Sequence, residues 1–213
     1  MAKGLFIVLE GIDGSGTTTQ ARWLAAWVET RGREVVLTAE PTGRAVGTII
    51  RQILQGRLAD GAGGAVEADE VMMALLFAAD RADHMQNVVL PALDAGRVVV
   101  SDRHYLSSVA YQAIGVEMGW VEMLNARFRR PDLTVLLDTD PEVSLRRKHA
   151  QGRPAERYER AHALERVRGN YIEAVAHARA AGERIEILDG APPPDAVHAA
   201  ITALVERLLG GET

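Results

Sequence analysis

The sequence contains no cysteine. Disulfides, thiolate zinc sites and cysteine nucleophiles are therefore excluded. Lysine is nearly absent: of 24 basic residues, 22 are arginine, and only Lys3 and Lys148 are lysine. There is no surplus of positive charge either, since 29 acids give a formal net charge of -5. A protein that coats nucleic acid neutralises many phosphates with a basic face, so the balance argues against that role. No apolar run approaches the roughly 18–20 residues needed to cross a bilayer. The run Leu5–Leu9 is short and ends at Glu10, where a secretory leader would stay apolar. The expectation is a cytoplasmic protein with neither nucleic acid nor membrane as partner. Internal repeats and low-complexity segments are also missing.

What is present suits an ordinary folded chain. It has 213 residues, 47% hydrophobic and 25% charged. That length fits one domain, residues 1–213, with enough buried surface for a core. Short apolar runs alternate with amphipathic stretches. Strands are expected at Leu5–Leu9, Glu34–Thr38, Arg97–Ser101, Leu133–Asp138 and Arg184–Leu188. Helices are expected over Thr18–Arg31, Ala45–Gln55, Glu67–Ala95, Pro141–Ala150, Tyr158–Ala181 and Ala196–Leu209, with helical stretches between Ser101 and Arg129. Pro91 is expected to kink or interrupt the long third helix. Trp23 and Trp27, four apart on the first helix, read as core. Continuous Val/Ile/Leu strands separated by helices predict an α/β fold: a five-stranded parallel sheet with helices on both faces. Ligands of such sheets bind at the carboxyl ends of the strands.

The strongest motif stands at such an end. Gly11-Ile12-Asp13-Gly14-Ser15-Gly16-Thr17-Thr18-Thr19 follows a strand and opens a helix. It matches the phosphate-loop pattern G-x-x-x-x-G-K-[ST] at Gly11, Gly16 and Thr18. Main-chain amides and a helix N-terminus cradle phosphates there, and Thr18 holds the hydroxyl position that meets Mg²⁺. One position departs. Thr17 stands where the pattern has lysine, so the loop carries no cation of its own. Either another cation takes over, or phosphoryl transfer is weak or lost.

Three later segments extend the pattern: Glu40-Pro-Thr-Gly43 with Arg51, Leu76-Phe-Ala-Ala-Asp-Arg81, and Ser101-Asp-Arg-His-Tyr105 with Ser107, Ser108, Tyr111 and Gln112. In this order and spacing the chain resembles the thymidylate kinases of the P-loop nucleoside monophosphate kinase group, from about Leu5 to Ala203. The resemblance implies a three-layer P-loop fold with a short lid, at about residues 150–158. It also implies transfer of phosphate from ATP to dTMP with Mg²⁺, and a homodimer. By the same resemblance Phe77 would stack on thymine, and Arg81 with Ser108 or Gln112 would meet its polar edge. Asp13 would take the sugar 3′-hydroxyl, and Tyr111 would crowd the 2′ position. Arg51 and Arg103 would grip the acceptor phosphate. Glu40 and Ser107 would lie in the acceptor site, and Asp102 would orient Mg²⁺ or its water. Independently, Phe77 and Arg81 are four apart on one helical face, and Asp102 and Arg103 follow a strand end. Asp138, also at a strand end, reads as structural, and His104 as a packing residue.

The replacement charge is sought in a basic island. Between Arg146 and Arg168 eight basic residues face three acids, five positive charges in surplus. Arg153 and Arg157, near the expected lid tip, are the expected donors, with Arg146 or Arg147 as substitutes. Two other readings stand beside kinase action on dTMP: a nucleotide-binding protein with little or no transfer, and a kinase for another nucleoside monophosphate or a deoxynucleoside.

Overall fold

The computed structural model describes residues 3–61, 64–150 and 161–210. All five expected strands form, each within two residues of its expected limits. They are β1 (Leu5–Gly11), β2 (Val35–Ala39), β3 (Val98–Asp102), β4 (Leu133–Asp138) and β5 (Ile185–Asp189). They make one parallel sheet in the order β2-β3-β1-β4-β5. β1 is central and fully buried because both of its faces are covered. Leu5, Ile7 and Leu9 pack with Val98, Val100, Leu133, Val135 and Leu137 against helices α1 (Thr17–Thr30) and α9 (Pro194–Leu209). Phe6 and Val8 face the other way, onto Met85, Val89 and Ala92. Helices α2 (Ala45–Leu54), α5 (Tyr105–Gln112), α6 (Met118–Asn125), α7 (Pro141–Ala150) and α8 (Ala161–Ala180) complete the layers.

The register places the chemistry. Leu9 lies opposite Asp102, Asp102 opposite Ala39, and Gly11 opposite Leu137. The chain leaves β1 at the point where connections run to opposite sides of the sheet, which opens a crevice.

Two expectations change. The helix over Glu67–Ala95 is interrupted: α3 (Glu70–His84) passes through a π-helical turn, Met85–Val89, into α4 (Leu90–Asp94). Pro91 has no N–H for the Asn87 carbonyl, and its ring crowds that carbonyl; the wider turn relieves the clash. Trp23 is not core. It is 37% exposed and meets His198 edge-to-face, while Trp27 is half-buried beneath Arg31. Among the described residues no helix is long and apolar enough to cross a membrane.

Candidate active site

The turn after β1 is closed by Ser15 N–H donating to the Ile12 carbonyl at 3.0 Å. Gly16, at φ 101, caps α1 without any side-chain hydrogen bond, and the first turn holds no acid. The amides opening α1 therefore have no intrahelical partner, and no acid within that turn competes for them. Gly14 (φ +88) lies directly beneath α7: a Cβ there would stand 2.5 Å from the Ser144 carbonyl oxygen and 3.1 Å from Lys148 Cγ. Above the loop opens a cavity of about 570 Å³, lined by Asp13 through Gln20, by Arg103, Arg147 and Lys148, and by Gly190, Pro192 and Pro194. Thr17 is buried and neutral. Thr18 Oγ1 donates to Asp102 Oδ2 at 2.5 Å, leaving Asp102 Oδ1 buried without a partner. Those hard oxygen donors fit a magnesium ion that shares its shell with phosphate and water. Among the described residues no group of three acids or histidines forms a metal cage by itself.

A second cavity, about 320 Å³, adjoins the first and shares Asp13, Thr18, Gln55 and Arg103 with it. Arg103 is the one non-glycine residue at positive φ (76°) among the described residues. That conformation costs roughly 1–2 kcal/mol, and the surroundings impose it. Its N–H donates to the Leu9 carbonyl at 2.8 Å, and its carbonyl accepts from Ser101 Oγ at 2.7 Å. The guanidinium meets Asp13 Oδ1 at 2.6 Å and Ser107 Oγ at 3.2 Å, and covers the Tyr111 ring. Tyr111 in turn accepts from the Asp13 N–H at 2.9 Å. Beneath Arg103 sits Glu10, fully buried, accepting from His104 N–H, Ser107 Oγ and Tyr171 Oη. Burial lifts its carboxyl to about 7 against those bonds and the nearby Arg103.

The second cavity is lined by Phe77 and Arg81 from α3, by Glu40, Pro41 and Arg51, and by His104, Ser107, Ser108, Tyr111 and Gln112. Glu40 anchors its floor. Burial opposes charge on this carboxylate, but Arg81 at 2.6 Å, with His104 at 3.2 Å and His84 at 2.9 Å, holds it well below the usual carboxylate range. Burial in the same cluster depresses His104, despite the pull of Glu40. The terminal nitrogens of Arg81 reach Asn125 Oδ1, the His104 carbonyl and Ser108 Oγ, and Nε is left without a partner. Gln112 is fully buried, with neither its amide nitrogen nor its amide oxygen bonded.

A strand, a phosphate loop and two adjoining cavities suit a donor nucleotide and a phosphate acceptor. Comparison with known proteins decides the family. The thymidylate kinase family model matches residues 9–201. A probable thymidylate kinase of Pyrococcus abyssi is 42% identical over 211 residues, covering 98% of this chain and 99% of that protein. The Pyrococcus horikoshii counterpart is 43% identical over the same span and coverage. A thymidylate kinase of Bifidobacterium longum is 41% identical over 214 residues, 97% of this chain and 99% of its own. The chain belongs to the thymidylate kinase family. It is a phosphotransferase.

Within this thymidylate kinase fold, the expected residues of Gly11–Thr19 form the turn under the larger cavity, and the expected acceptor residues gather around the smaller one. Two arginines of the smaller cavity are also held by protein groups. Arg81 does not offer its whole fork to a ligand, because protein groups take both terminal nitrogens. Arg51 likewise ties the Pro41 and Thr42 carbonyls together while lining the cavity. Asp138, expected to be structural, is clamped by Arg168 at 2.5 and 2.8 Å. His104 is buried, edge-to-face with Phe6 and Tyr105. Arg153 and Arg157 lie outside the described residues. Of their substitutes, Arg146 is exposed and pairs with Glu142, and Arg147 ties the Gly190 and Ala191 carbonyls beside the loop.

Sequence reasoning missed Lys148 and Glu10. Lys148 stands 134 positions after Gly14, but α7 follows β4, and β4 pairs with β1. A helix leaving that strand passes beside the loop, and Ser144 and Lys148 share one buried face of it. The signal was a lone lysine in an arginine-rich island.

Proposed function

We propose that the enzyme transfers the γ-phosphoryl group of ATP to dTMP. An oxygen of the dTMP phosphate bonds to the γ-phosphorus, the bond to the β-bridging oxygen breaks, and dTDP and ADP leave. The observation that carries the acceptor is the Gln112 amide, buried with donor and acceptor both open, in the cavity that Phe77 also lines. Thymine presents an N3–H donor flanked by carbonyl acceptors, and its ring offers a face for stacking. Leaving such an amide unpaired is costly, so a base that satisfies it gains selectively. Tyr111 narrows the sugar position, Asp13 faces the 3′-hydroxyl, and Arg51 and Arg103 hold the acceptor phosphate.

ATP takes the larger cavity, its phosphates on the Gly11–Thr19 amides. Thr18 and Asp102 would hold Mg²⁺, which supplies charge neutralisation on the phosphates. Arg153 and Arg157 add cations from the lid and, with Arg103 and Asp102, complete the catalytic set. Phosphoryl transfer depends mainly on positioning and charge, so a strong base is not required. The exposed Val71, Met72 and Leu75 on α3 support a homodimer, and the absence of cysteine suits the cytoplasm.

A coupled ADP-release assay with dTMP, dUMP, dCMP, dGMP and thymidine tests this reading. The highest kcat/KM is expected with dTMP. Preference for another acceptor would overturn the assignment. Tight ATP and dTMP binding without turnover would reduce the protein to a nucleotide binder.

A further inference from the structure

The phosphate loop lacks its cation at Thr17, yet a cation stands over the loop. Lys148 is 7% exposed and lines the larger cavity beside Asp13, Thr17 and Thr18. Its stem packs on Gly14, and Nζ lies 3.7 Å from Asp13 Oδ2. The other oxygen of Asp13 bonds Arg103 at 2.6 Å. Two cations thus meet the two oxygens of one carboxylate at this corner of the cavity. We infer that Lys148 takes the role of the absent loop lysine and binds the donor's β- and γ-phosphates from α7. The inference rests on the reading that the larger cavity takes ATP.

The physical case is one of position. A lysine at residue 17 would enter from the start of α1; Lys148 enters the same cavity from α7. Its backbone is fixed by helix α7, whose Ser144 carbonyl lies against Gly14. Lysine presents a compact charge with three donors on a flexible stem. It can exchange the carboxylate of Asp13 for phosphate oxygens without moving the helix. Arg147 is ill-suited, because carbonyls of the segment after β5 hold its guanidinium.

The test compares wild type with Lys148→Met, Lys148→Arg and the double variant Thr17→Lys/Lys148→Met, with Lys3→Met as control. ATP affinity is read by calorimetric titration and turnover by ADP release. Lys148→Met is expected to raise the Kd for ATP at least about tenfold and to lower kcat on the order of a hundredfold or more, the scale of losing one preorganised donor to the transition state. Lys148→Arg keeps the charge and most of the affinity. The double variant regains most of the loss by returning a charge to the loop. Lys3, 80% exposed at the far edge, leaves both readouts unchanged. A Lys148→Met enzyme within twofold in Kd and threefold in kcat overturns the inference. So does a double variant as impaired as Lys148→Met, because Lys148 would then act by packing alone. An inactive wild type that still shows the Kd pattern sinks the kinase reading and spares this one.

Discussion

Replacing Glu10 by glutamine tests the electrostatics under the site. Glu10 is buried against Ser107, His104 and Tyr171, and its folded-state carboxyl is raised from 4.5 to about 7. A raised carboxyl means that the folded chain binds a proton more tightly than the unfolded chain does. The resulting stabilisation is complete below about pH 4.5 and is lost as pH climbs through about 7. Between pH 5 and pH 8 the loss for such a shift integrates to about 2.5 kcal/mol. Glutamine cannot titrate, so that slope disappears in Glu10→Gln. Urea unfolding at pH 5, 6, 7 and 8 gives the comparison. The stability of wild type relative to Glu10→Gln should fall by about 2 kcal/mol or more across that range. Parallel curves for the two proteins would refute the reasoning, since burial would then not have shifted the group. Activity adds a second readout. Glu10 shares Ser107 and Tyr171 with Arg103, so its ionisation should leave a titration near neutrality in kcat/KM for dTMP, absent from the variant.

Two further substitutions have outcomes fixed by geometry. Gly14→Ala forces a side chain into a left-handed backbone and against the Ser144 carbonyl; urea unfolding should register a loss of at least about 2 kcal/mol, and ATP turnover should fall with it. Phe77→Ala removes the aromatic wall of the smaller cavity; with base stacking worth about 1–3 kcal/mol, the KM for dTMP should rise roughly ten- to a hundredfold in steady-state assays, while the KM for ATP changes little.

Local pattern made much of this molecule legible. Leu5–Leu9 is an unbroken apolar run, and Leu133–Leu137 is interrupted by Thr134 alone, because both faces of their strands are covered; glycines mark the loop because its backbone curls tightly. Spatial neighbours across the sheet were less legible. Nothing near Gly14 in the sequence announces Lys148, which depends on β4 lying beside β1. Nor does Arg81 reveal its bonds to Asn125 and His104, since those partners come from a different helix and a strand-end turn. The π-helical turn reflects a conflict at one proline, whereas the sequence shows mainly the helical period around it. Trp23 shows the limit of that period: spacing puts it on the face of Trp27, but the ring stays at the rim.

Asp13 and Arg103 belong to both cavities, and they are bonded to each other. On the assignment proposed above, a nucleotide on either side meets a salt link that its companion also contacts. Thermodynamic linkage then requires the effect to be reciprocal: the factor by which one substrate changes the other's affinity is the same in both directions. Each nucleotide on that assignment has two dissociation constants, one with the neighbouring chamber empty and one with it filled, and their ratio is common to both nucleotides.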